Sequence, residues 1–83
     1  MQVPQAVAYA VQQLNTAGFE AYPVGGCVRD LLRGLQPHDW DITTSATPDE
    51  MMAVFAGERL IPTGLQHGTV TLLKDGLPLE LHE

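Results

Sequence analysis

The run Asp39-Trp40-Asp41-Ile42-Thr43-Thr44 constrains this chain more than any other segment. Its large apolar residues, Trp40 and Ile42, stand two apart, so an extended backbone puts them on one face and Asp39, Asp41 and Thr43 on the other. A strand of that pattern, expected over 38–44, belongs in a sheet with one face on a core and the other open to solvent. Two carboxylates then point the same way from the open face. Hard oxygen donors side by side suit Mg²⁺, but a solvated strand face carries such acids more often, so Asp-x-Asp alone is a weak signal.

The flanking sequence supplies partners for such a strand. Over residues 4–17, Val7, Ala8, Val11 and Leu14 recur at helical spacing, with Pro4 in the first turn and Gly18 at the C-terminal cap. Residues 19–24 read as a strand that runs into Gly25-Gly26, and 27–33 as a short helix with Val28, Leu31 and Leu32 on one side, closed by Gly34. Thr47-Pro48-Asp49-Glu50 has the form of a capping box opening a helix that reaches about residue 56. Residues 59–62, 69–73 and 77–81 read as strands, the last two joined by an Asp75-Gly76 turn. The order α-β-α-β-α-β-β-β predicts an α/β (α+β) domain, a mixed sheet with helices on one face and the other face left for a site.

At 83 residues the chain has room for one domain. Its 45% apolar and 17% charged content excludes a disordered or fibrous chain. Ten acidic residues against Arg29, Arg33, Arg59 and Lys74 give a net charge of −6, the wrong sign for a surface that grips nucleic acid by its phosphates. The lone Cys27 forms no internal disulfide, which points to the cytoplasm. Neither a signal-like N-terminus nor an apolar run long enough for a bilayer is present, so no membrane partner is expected.

Several residues could join the two aspartates. Gly25 and Gly26 lack side chains, which lets backbone N–H groups and a following helix N-terminus approach a phosphate; an ordinary strand-to-helix turn uses glycine as well. Arg29 could reach a triphosphate and Asp30 could satisfy nearby backbone donors, surface charge being the other reading for both. Glu80 is a candidate third carboxylate, since Leu79 and Leu81 face opposite to it, unless it is an outward acid on an edge strand. Clustered carboxylates repel, so a metal would be needed to keep all of them ionised at neutral pH. His67-Gly68 could line a nucleotide pocket or simply make a turn; His38 and His82 have less support, and three scattered histidines make no zinc site. Cys27 reads as a small core residue.

Taken together, Val24-Gly25-Gly26-Cys27-Val28-Arg29-Asp30-Leu31-Leu32, Pro37-His38-Asp39-Trp40-Asp41-Ile42-Thr43-Thr44, Ala46-Thr47-Pro48, Thr63-Gly64 and His67-Gly68-Thr69-Val70 form an ordered set. Over roughly residues 18–81 it resembles the head (palm) domain of class II tRNA nucleotidyltransferases and bacterial poly(A) polymerases, in the polymerase-beta nucleotidyltransferase superfamily. The resemblance implies that Asp39, Asp41 and Glu80 are the catalytic, metal-binding acids of a two-metal Mg²⁺ site, and that Gly25, Gly26 and Arg29 bind the nucleotide triphosphate. It implies in-line attack of a tRNA 3′-hydroxyl on the α-phosphorus of CTP or ATP, with pyrophosphate leaving. CCA addition and poly(A) addition share this head, and a module that binds metal and nucleotide without turnover is a further alternative. After the third acidic strand the family continues with Thr-Thr-Phe-Arg and a helical neck, body and tail, whereas here Leu81 is followed by His82-Glu83. The expectation is therefore a nucleotidyltransferase head over 1–83, incomplete at its C-terminal end, whose RNA is gripped mainly by the missing domains.

Overall fold

A computed structural model of the protein describes residues 3–24 and 40–83, the side chains of Val24 and Thr63 excepted. The predicted 27–33 helix, with Gly25, Gly26, Arg29 and Asp39, lies outside the described residues. Within them the chain forms α1 (Gln5–Thr16), β1 (Ala21–Val24), β2 (Trp40–Thr44), α2 (Pro48–Val54), β3 (Arg59–Gly64), a 3-10 turn (Leu65–His67), β4 (Thr69–Lys74) and β5 (Leu77–His82). One five-stranded sheet runs β1-β2-β5-β4-β3. The β2–β5 pairing is parallel and the other three are antiparallel. This is the mixed sheet expected from the sequence.

The sheet is sided as the alternation requires. Trp40, Ile42, Val70, Leu72, Leu79 and Leu81 are buried in one cluster with Ala6, Val7, Ala10 and Leu14 of α1 and with Met51 and Phe55 at α2. Both helices therefore cover the same face, and Asp41, Thr43, Glu80 and His82 stand on the other. The stripe on α1 differs from the expected one: Ala6 and Ala10 are buried, Ala8 is exposed and Val11 is half-buried at the edge of the core. Alanines at 6, 8 and 10 are equivalent in hydropathy, and the direction of approach of the sheet selects among them.

Local signals set the ends of the elements. Gly18 takes φ 98°, and the Phe19 N–H donates to the Leu14 carbonyl at 2.9 Å, a Schellman-type close to α1 that leaves Phe19 packed on the core rather than in β1. At α2 the Glu50 N–H donates to Thr47 Oγ1 at 3.2 Å and the Thr47 N–H to Glu50 Oε1 at 2.8 Å, the expected reciprocal box. Asp75 and Gly76, at φ 54° and 77°, make the two-residue turn whose twist joins β4 to β5.

Two polar clusters tie these elements together. At the end of β2, the buried Thr44 hydroxyl donates to the Glu20 carbonyl and accepts from the Ala46 N–H, fixing β2 to the entry of β1. Near the outer end of β4, Tyr9 of α1 donates to Glu58, while Lys74 Nζ sits 3.5 Å from Glu58 Oε1 and 4.4 Å from the Tyr9 ring centre. The Tyr9 hydrogen bond, with help from Lys74, lowers the Glu58 pKa below its ordinary 4.5, and the same bond raises that of Tyr9.

Thr44→Val keeps shape but leaves the buried Ala46 N–H without its acceptor, and should cost about 1–3 kcal/mol in urea unfolding; a change within about 0.3 kcal/mol would show that the bond is dispensable. The Glu58 cluster gives a signed pH dependence. A lowered folded-state pKa means that its stabilisation is present above the ordinary carboxylate value and is lost as pH falls through the lowered one. Glu58→Gln should therefore be less stable than the parent at neutral pH, with the gap closing in acid. A gap independent of pH would remove Glu58 ionisation from the account.

Candidate active site

The site is built from the reverse side of the core. In the parallel β2–β5 pair, Trp40 is level with Leu79 and Ile42 with Leu81, and all four are buried. Asp41 is level with Glu80 between those pairs, so both carboxylates leave the uncovered face from adjacent strands, about 4.8 Å apart in backbone spacing. Sequence reasoning placed Asp41 and Glu80 on one face, and the structure brings them together. Asp39, Gly25, Gly26 and Arg29 lie outside the described residues, so their expected roles carry no geometry.

A third side chain joins them that sequence reasoning passed over. His82, next on the same face of β5, places Nε2 3.2 Å from Asp41 Oδ1 and 3.8 Å from Glu80 Oε2. Its Nδ1 lies 3.2 Å from the hydroxyl of Thr69, its register partner on β4. One donor atom from each of Asp41, Glu80 and His82 falls within 4.8 Å of the others. The signal was present: a two-residue step from Glu80 returns to the same strand face. His67, the other histidine of interest, is exposed in the 3-10 turn with Nε2 3.4 Å from Gln66 Nε2.

The three side chains are 30% (Asp41), 46% (Glu80) and 37% (His82) exposed, open enough for a ligand to enter. Two carboxylates offer the oxygen donors that Mg²⁺ prefers, so the donor set fits a hard divalent ion, with an imidazole nitrogen at its edge. An acidic cluster on the open face of a mixed sheet, backed by two helices, is an arrangement able to hold a divalent cation.

Residues 21–83 match the model of the poly A polymerase head domain, and the chain belongs to that family. It is 55% identical over 71 residues to a CCA-adding enzyme of Lactobacillus delbrueckii subsp. bulgaricus, a match covering 86% of this chain and 17% of the relative. The corresponding enzyme of Geobacillus thermodenitrificans is 51% identical over 71 residues, with the same coverage of 86% and 17%. Among solved structures, the Bacillus stearothermophilus CCA-adding enzyme in complex with CTP superposes with a TM-score of 0.87 at 43% identity, covering 99% of this chain and 20% of that one. A tRNA nucleotidyltransferase complexed with a primer tRNA and an incoming ATP analog gives a TM-score of 0.71 at 32% identity, covering 88% and 22%. The chain thus spans 17% of the length of the curated relatives it matches. Among the described residues, no helix is long and apolar enough to cross a membrane.

Titrating Mg²⁺ into the chain should shift the backbone NMR signals around Asp41, Glu80 and His82 first, and Asp41→Asn should abolish those shifts. A shift map centred elsewhere on the sheet would move the metal site away from this face.

Proposed function

We propose that this chain is the catalytic head of a template-independent RNA nucleotidyltransferase that adds CMP and AMP to the tRNA 3′ end and releases pyrophosphate. The observation that carries the reading is the level pairing of Asp41 with Glu80 on the uncovered face of a family head domain. The 43%-identical structural neighbour is a complex with CTP and another neighbour a complex with a primer tRNA, which supports nucleotide and tRNA as partners. The names of the relatives favour CCA addition over poly(A) addition.

In this reading Asp39, Asp41 and Glu80 hold Mg²⁺, which supplies charge stabilisation for the attacking and leaving oxygens of in-line phosphoryl transfer. Gly25 and Gly26 present backbone N–H groups to the triphosphate and Arg29 contacts its oxygens. Metal-holding carboxylates and phosphate-binding groups recognise features common to all nucleotides, so in this reading the head contributes catalysis and phosphate binding and base choice lies with other parts of the enzyme. The net charge of −6 agrees with RNA being held elsewhere. In this reading the enzyme works in the cytoplasm.

The test is a chimera in which residues 1–83 replace the matched segment of the Bacillus stearothermophilus enzyme. It should add CMP to a tRNA lacking its CCA end, and Asp39→Asn, Asp41→Asn or Glu80→Gln should each lower addition by about 10²-fold or more without unfolding the protein. A folded chimera whose activity survives Asp41→Asn would force another assignment. Calorimetry on the 83-residue chain with CTP, ATP, UTP and GTP in Mg²⁺ should give similar, weak affinities that fall on Asp39→Asn/Asp41→Asn. A tenfold preference for one base, about 1.4 kcal/mol, would show that the head reads the base itself.

A further inference from the structure

We draw no further inference here: the strongest candidate, the apolar groove of about 500 Å³ between α1 and β1 lined by Val3, Val7, Ala8, Val11 and Pro23, carries none, because nothing among the described residues shows what covers it.

Discussion

The parallel pairing of β2 with β5 is the contact on which the rest of the molecule depends. Parallel neighbours need a long return, and α2 with the β3–β4 meander supplies it, so most of the described chain after β2 serves to bring β5 back alongside. The register of that pair is enforced from the core side. A slip of one residue would turn Leu79 and Leu81 out to solvent and Glu80 inward, losing about 1.5–3 kcal/mol for each large apolar side chain exposed. Asp41 and Glu80 are therefore held level by Trp40, Ile42, Leu79 and Leu81 behind them. The two carboxylates repel each other, and a polar side-chain contact across the pair runs from His82 Nε2 to Asp41 Oδ1 at 3.2 Å.

This division of labour explains what could be read from the sequence. The faces of β2 and β5, the capping box at Thr47 and the Asp75-Gly76 turn were legible because each is decided by residues within a few positions of one another. The buried stripe of α1 was only half legible: Val7 and Leu14 stand out as large residues, but the choice of Ala6 and Ala10 over Ala8 is made by the sheet that packs there. Strand ends moved by up to two residues where hydrogen bonds, not hydropathy, decide them: Phe19 is held back by the close of α1, and β5 runs on to His82 through its pairing with Thr69. The adjacency of β2 and β5 is a property of the whole topology, and no local pattern contains it. His82 was missed for that reason. Its face could be read from Glu80, but its nearness to Asp41 appears only when the two strands lie side by side.

The distribution of basic residues gives the acidic face its meaning. Of the two cationic side chains among the described residues, Lys74 is turned to the helix side and engaged by Glu58 and Tyr9. Arg59 stands on β3, the edge strand at the opposite end of the sheet order from β1 and β2. The face around Asp41 and Glu80 thus holds two carboxylates and a titratable ring, with no described lysine or arginine on β2 or β5. A triphosphate brought to such a face would meet repulsion from the protein itself. Among the described residues no lysine or arginine on β2 or β5 offsets the formal charge of Asp41 and Glu80, and a single divalent ion would. A cation held between two such carboxylates would relieve that repulsion, so metal binding and phosphate binding at this face would be coupled.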